Sequence, residues 1–280
     1  MAFIHIQYVL KKLFCPLYLL MGFLISNADA QVTVPPFRQG EWLEYQVSYG
    51  YLSAGTATMG VDEQLHEING HACYKIQIKG VSASGLELLN IKVDNTWESY
   101  LDVDLLRPHK FIEHIQEHNY TKKNQTDFDY KTNQARVEIA ESTNNMQQEV
   151  TYFPIPNHNI KDLVSAYYSM RSIDTTHLKP GDTFVISGLY EKKIYENIVI
   201  LFLGKKVITT KLGKIEAMVF APLIPVEDSI FTGNRPVEIF ISNDANKIPL
   251  KLKVNLMLGA VEMELSAYKG LKEEMAFQKP

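Results

Sequence analysis

The chain has 280 residues, 46% of them apolar and 11% aromatic, and a formal net charge of −4 at pH 7. That apolar and aromatic content excludes a disordered chain. The slight acidic excess, without any basic arm, excludes nucleic acid and anionic membrane surfaces as partners, since both call for clustered positive charge.

The first thirty residues differ from the rest. Lys11 and Lys12 precede an apolar run over residues 13–25 (LFCPLYLLMGFLI), and Ala28-Asp29-Ala30 closes it. Basic, then apolar, then A-x-A is the layout of a secretory signal peptide, with cleavage expected after Ala30. The apolar run is short against the ~20 residues of a membrane-spanning helix, and Pro16 interrupts it. No transmembrane span is therefore expected after cleavage. Lipidation of Cys15 needs small residues just before it, and Leu13 and Phe14 stand there instead. Residues 31–280 are expected to form a single β-rich domain. Losing Lys11, Lys12 and Asp29 moves the charge from −4 to −5. Cys73 is then alone, which excludes an internal disulfide and a CxxC metal site. It reads as a buried structural thiol.

Residues 42–49 alternate, with Leu43, Tyr45 and Val47 on one face and Glu44, Gln46 and Ser48 on the other. An extended stretch at 55–68 leads to Asn69-Gly70, a strong hairpin signal, with the return strand at 71–81. Further strands are expected at 91–101, 109–120, 127–130, 136–139 and 148–153. Polar hairpin tips are expected at 121–126 and 132–134. One segment changes period. Ile160, Leu163, Val164, Tyr167, Tyr168 and Met170 predict a helix over residues 160–172, with Asn159 as cap and Asp162 in the first turn. Strands resume after Lys179-Pro180-Gly181-Asp182, at 183–189, 192–203, 207–210, 215–223, 236–242, 249–258 and 260–268. The runs 198–203 and 254–261 carry apolar residues on both faces, which predicts cover on both sides of those strands. The pattern amounts to an all-β antiparallel domain, a curved sheet or partial β-barrel with one covering or plugging helix.

The ordered motifs resemble a family. Phe37-x-x-Gly40-Glu41-x-Leu43-x-Tyr45 runs into Tyr49-Gly50-x-x-x-Ala54-Gly55-x-Ala57. Asp162-Leu163-x-Ser165-Ala166-x-Tyr168-x-x-Arg171 and Pro180-Gly181-Asp182 follow. Ile241-Ser242-Asn243-Asp244, Ile248-Pro249 and Gly259 close the set. Together they are similar to the bacterial envelope family known as domain of unknown function 3108, across about residues 37–270. The resemblance implies an exported β-rich protein of a Gram-negative periplasm or outer envelope, with no established activity. The Ala30/Gln31 junction resembles those of Bacteroidetes. Asn243 stands where family members often carry an acid, which argues against catalysis at that turn. Gly50, Gly55 and Gly259 read as bends where the sheet curls.

The sharpest formal motif is His114-Ile115-Gln116-Glu117-His118, the H-x-x-E-H pattern of zinc hydrolases, in which the histidines hold metal and Glu117 is the base. That chemistry needs a helix. On a strand, His114, Gln116 and His118 share one face and Glu117 the other, and the strand is the better reading here. His66 and His71 flank the Asn69-Gly70 turn and read as solvent-facing. Asp62, Asp94, Asp102 and Asp104 have no spacing that brings any two together for glycoside hydrolysis. Trp42, Tyr45, Tyr49, Tyr51, Trp97 and Tyr100 fit a sugar-binding surface, but core aromatics are the simpler account.

The leading expectation is a non-enzymatic envelope protein that binds an apolar or amphipathic ligand such as a lipid, with no cofactor. Tyr167, Met170, Leu201, Leu203, Leu256 and Leu258 are expected to line the seat. The alternative is an envelope hydrolase of glycan or peptide, zinc-dependent through His114, Glu117 and His118.

Overall fold

Alternation along each strand decides which face of the sheet is covered. The computed structural model describes residues 34–155, 160–223 and 232–279; the expected signal peptide and Asn159 lie outside them. In β1 (Trp42–Tyr49), Leu43, Tyr45 and Val47 are buried and the residues between them are only partly covered. The same pattern runs through β2 (Leu52–Ile68), β3 (His71–Ser82), β4 (Asp94–Asp102), β5 (Pro108–Glu117), β6 (Tyr120–Asp129) and β7 (Gln134–Glu141), and ends at the exposed β8 (Gln148–Pro154). After the helix α1 (Leu163–Arg171) come β9 (Thr183–Tyr190), β10 (Lys193–Thr210), β11 (Gly213–Pro222), β12 (Val237–Ser242), β13 (Pro249–Leu256) and β14 (Gly259–Lys269).

These strands form one 14-stranded antiparallel sheet in the order β8-β7-β6-β5-β4-β3-β2-β1-β14-β13-β12-β11-β10-β9. Every neighbour is a hairpin partner except β1 and β14, where Trp42 pairs with Lys269 and Tyr49 with Val261. The sheet curls towards a closed barrel. Tyr190 at the end of β9 reaches back across the interior to Glu113 on β5, 2.6 Å away. The edge of β9 is covered by the chain itself, since Lys161 pairs in parallel with Gly188. The all-β architecture with one α-helix, expected from the sequence, is the one that forms among the described residues.

Several details differ from expectation. Residues 121–126 are no hairpin tip but the middle of β6. Lys122, Asn124 and Thr126 are polar yet buried on the inner face. Lys122 and Asn124 can be, because Glu113 gathers them: Lys122 lies 3.0 Å from its carboxylate, the Asn124 amide donates to it at 3.4 Å, and Trp97 Nε1 donates to it at 2.9 Å. Glu191 adds a second carboxylate to Lys122. Burial opposes the charge of Lys122, but the two carboxylates outweigh it and raise its pKa. The expected strands at 192–203 and 207–210 are one strand, β10, with an irregularity between Phe202 and Gly204. The run 254–261 is not covered on both faces either. It contains the β13–β14 turn, where Met257 and Leu258 are exposed and Gly259 takes φ 90°, a conformation that costs glycine nothing. Strands buried almost throughout are β11 and β12 instead.

Helix α1 starts one turn later than its period suggests. Asp162 is the N-cap, accepting the backbone N–H groups of Val164 and Ser165, both at 2.8 Å. Its second carboxylate oxygen accepts the Ser99 hydroxyl of β4 at 2.6 Å. Every helix residue except Ser169 is buried, as befits a segment enclosed by its surroundings. At the other end Arg171 forms a two-pronged pair with Glu41, at 2.6 and 2.9 Å. Arg171 Nη2 also donates to the Asn246 carbonyl at 2.9 Å, and Phe37 stacks edge-on to Tyr168 at 5.0 Å. Both partners of the ion pair are fully buried.

Breaking a buried ion pair strands the remaining charge, at a cost of about 3–5 kcal/mol, whereas replacing both partners by apolar groups is far milder. Arg171→Met alone is therefore expected to lower unfolding free energy by about that amount in guanidinium titration, and Glu41→Leu/Arg171→Met to recover most of it. A single-variant cost below ~1 kcal/mol contradicts the buried-pair account. A second expectation concerns pH. Burial pushes the Asp162 carboxyl up to about 6, against the lowering effect of Ser99, Ser165 and Val164. A carboxyl raised above its unfolded value of about 4 holds its proton more tightly in the native state. Its contribution is complete below about pH 4 and is lost as pH rises through about 6. The difference in stability between wild type and Asp162→Asn, which keeps an acceptor at the cap, should shift against wild type by about 2–3 kcal/mol over that range. A difference curve flat with pH contradicts the assignment.

Candidate functional site

The turns β2–β3, β4–β5 and β6–β7 gather at one end of the sheet. The cleft there, of about 1130 Å³, is lined by His71, Arg107, His109, Phe128, Tyr130 and Arg136 among others. Register places the residues. His71 is the first residue of β3, Asp102 the last of β4, and His109 the second of β5. Cys73 pairs with Asp102 and Leu101 with Pro108, so the three strand ends lie side by side.

Asp102 is held on two sides. Oδ1 accepts the backbone N–H groups of Asp104 and Leu105, both at 2.8 Å, which fixes the turn. Oδ2 faces His109 Nε2 at 3.2 Å and His71 Nδ1 at 3.5 Å. The two imidazoles stack at 4.4 Å, 16° from parallel. The side chains of Asp102 and His109 are 4% and 3% exposed and that of His71 is 40% exposed, so the trio opens to the cleft through His71. Burial works against the Asp102 charge, but the Leu105 and Asp104 N–H groups and His109 hold its pKa below the usual carboxylate range. Burial lowers the pKa of His109, helped by His71 and Arg107 and opposed by Asp102. At neutral pH the site thus holds the Asp102 carboxylate beside an uncharged His109 ring.

The walls carry cations and aromatics. The Arg107 guanidinium lies 4.3 Å over the Tyr130 ring, and Tyr130 donates its hydroxyl to the Pro108 carbonyl at 2.8 Å. His109 meets the same ring edge-on at 5.5 Å. From beneath, the Lys161 ammonium donates to the Leu106 carbonyl at 2.8 Å, fixing the turn that presents Arg107. Burial brings the pKa of Lys161 down to about 8, with Asp162 and Asp102 opposing.

The residues singled out in the sequence lie elsewhere. His114 is exposed on the outer face of β5, opposite Lys123 and Thr96, and His118 is exposed in the β5–β6 turn with φ 49°. Glu117 is buried on the inner face and accepts from Asn95 at 2.8 Å. A strand cannot bring these three together, so H-x-x-E-H builds no zinc site. Nor do the six expected ligand contacts share one space. Tyr167 and Met170 are core residues of α1, and Leu256 is buried at the end of β13. Leu201 and Leu203 are half-buried on β10, on the face opposite the buried Ile200 and Phe202, and Leu258 is 56% exposed in a turn. None of the six lines the cleft.

His66 and His71 do not face each other across their hairpin. His66 pairs with Cys73 and lies 3.4 Å from Asp62, while His71 turns to Asp102. Asp94 pairs with Lys79 at 3.0 Å. Among the aromatics, Tyr45 and Trp97 are core and Tyr51 is exposed. Cys73 is fully buried, and burial followed by the Asp102 charge pushes its thiol up to about 11, so it stays protonated and unreactive. Sequence reasoning passed over Arg107 and His109. The signal was there in the strand ends, since residues next to alternate turns of a meander fall at one end of the sheet.

Among solved structures, a β-barrel-like protein of domain of unknown function DUF1849 from Brucella abortus is similar, with a TM-score of 0.52 at 7% identity over 85% of this chain and 100% of that one. A Bacteroides fragilis protein with a YmcC-like fold, proposed to be exported, matches with a TM-score of 0.38 at 8% identity, over 85% of this chain and 100% of that one. A proposed lipoprotein of Parabacteroides distasonis matches with a TM-score of 0.31 at 10% identity, over 86% of this chain and 100% of that one. No curated protein matches the chain. The Brucella structure agrees with the curled sheet described above, and the model of a family of proteins of unknown function, DUF3108, matches residues 44–266, which makes the chain a member of that family.

Proposed function

We propose that this is an exported, non-catalytic binding protein of the bacterial envelope whose ligand seat is the cleft at the β2–β3, β4–β5 and β6–β7 turns. The ligand is a small amphipathic molecule with an anionic head. The observation that carries this reading is Arg107. Its guanidinium stacks on Tyr130 at the cleft wall, and its buried Nε finds no acceptor among the described residues. A buried donor without a partner costs free energy that an anionic acceptor would restore. Lys131 and Arg136 line the same cleft, Arg136 paired with Glu138 and Asp127, and Tyr130, Tyr152 and Phe128 offer flat apolar surface to the rest of the ligand. The inner face of the sheet is a less favourable seat, because the helix and the inward side chains pack it.

Octyl phosphate and octyl glucoside, used below their micelle concentrations, share a tail and differ in head charge. Octyl phosphate is expected to raise the melting temperature, and octyl glucoside to do so far less. Arg107→Ala should weaken octyl phosphate binding about tenfold or more in calorimetric titration, the value of one hydrogen bond to a charged group. Equal shifts from both amphiphiles, or an unchanged affinity in Arg107→Ala, would sink the reading.

A further inference from the structure

We propose that His71 Nδ1, Asp102 Oδ2 and His109 Nε2 form a seat for one divalent transition-metal ion of the zinc class, open towards the cleft. The three donor atoms lie within 4.8 Å of one another. Two ligand atoms bound tetrahedrally at 2.0–2.1 Å from one zinc ion stand about 3.3 Å apart. The observed separations from Asp102 Oδ2 are 3.2 Å to His109 and 3.5 Å to His71, close to that spacing, and the two rings, stacked 16° from parallel, turn towards each other to aim both nitrogens at one ion. Two imidazoles and one carboxylate are a borderline donor set that suits zinc, cobalt and nickel rather than calcium or magnesium.

The carboxylate is oriented for the task. Oδ1 is taken by the Asp104 and Leu105 N–H groups, the kind of outer contact that orients a metal ligand, which leaves Oδ2 aimed at both rings. Each imidazole would bind the metal through its deprotonated nitrogen and carry its proton on the other one. His71 is half-exposed on the cleft side and provides the way in. Three protein ligands leave at least one coordination position, and it faces the space that Arg107 and Tyr130 line. The proposal deepens the reading of this cleft as a binding seat and rests on it for that open position. An anionic head group bound beside Arg107 would complete the coordination.

The test is calorimetric titration of EDTA-treated protein with zinc chloride in the absence of any amphiphile, together with visible absorption after cobalt substitution. The expected result is one zinc ion per chain and cobalt bands of a four- or five-coordinate nitrogen–oxygen site. His71→Ala, at a partly exposed position whose loss the fold tolerates, should weaken zinc by about 100-fold, more than outer-shell changes usually cost. Asp102→Asn should weaken it as well. Asp62→Asn/His66→Ala, which removes the exposed pair on the neighbouring hairpin, should leave it unchanged. Zinc binding equal in wild type and His71→Ala, or lost in the Asp62/His66 variant, overturns the proposal, as does wild type that binds no zinc below millimolar concentrations. Octyl phosphate titrated into the same EDTA-treated protein separates the two readings. Binding of the amphiphile without zinc binding leaves the cleft standing as a seat and removes the metal; zinc binding without the amphiphile does the reverse.

Discussion

The pair between Arg171 and Glu41 is the contact on which the rest of the molecule depends. It joins the residue just before the first strand to the last turn of the helix, and the Asn246 carbonyl brings in the β12–β13 turn. Three segments far apart in the chain, each carrying one of the family-like motifs, meet at this one buried point. Phe37 and Tyr168 pack around the guanidinium, at 5.5 and 5.1 Å from their ring centres. Those motif residues are therefore parts of a packing joint. Buried ionic joints of this kind are weak sources of net stability but costly to break, so they select one arrangement of the parts over others.

From that joint the order passes along the helix to the candidate site. Arg171 anchors one end of α1, and Asp162 caps the other and ties it to Ser99 on β4. Lys161, one residue before the cap, secures the turn that holds Asp102 and Arg107 in position. The helix is thus the strut between the N-terminal joint and the cleft. The inner face it leans on is itself polar in part, around Glu113, Lys122 and Tyr190. A sheet whose concave side is filled in this way has its accessible space at the end rather than in the middle.

Much of the fold was legible because its signals are local. Asn69-Gly70 marks its hairpin, and the spacing of Leu163, Val164, Tyr167 and Tyr168 sets the helix apart from the strands around it. Where inference went astray, a longer-range partner had changed the meaning of a residue. Lys122 and Asn124 look like a solvent-exposed tip until Glu113 is seen beneath them. Leu256 and Leu258 look like two contacts in one groove until a turn falls between them. The candidate site was the least legible part. His71, Asp102 and His109 belong to three different strands, and only the register of β3, β4 and β5 brings them to one level. His114 and His118 draw notice by their spacing, yet the pleat turns His114 outward and His118 falls in the turn after the strand.

One feature of the sheet bears on how the chain reaches this state. All its strand pairings join sequence neighbours except the one between β1 and β14. Each of the two ribbons, β1 to β8 and β9 to β14, can therefore zip up strand by strand between sequence neighbours, at less entropic cost than pairing distant strands. The expense of ordering distant parts of the polymer falls almost entirely on a single seam, where Trp42 must find Lys269. That seam joins the most widely separated strands of the sheet, so β1 and β14, rather than the strands between them, complete it.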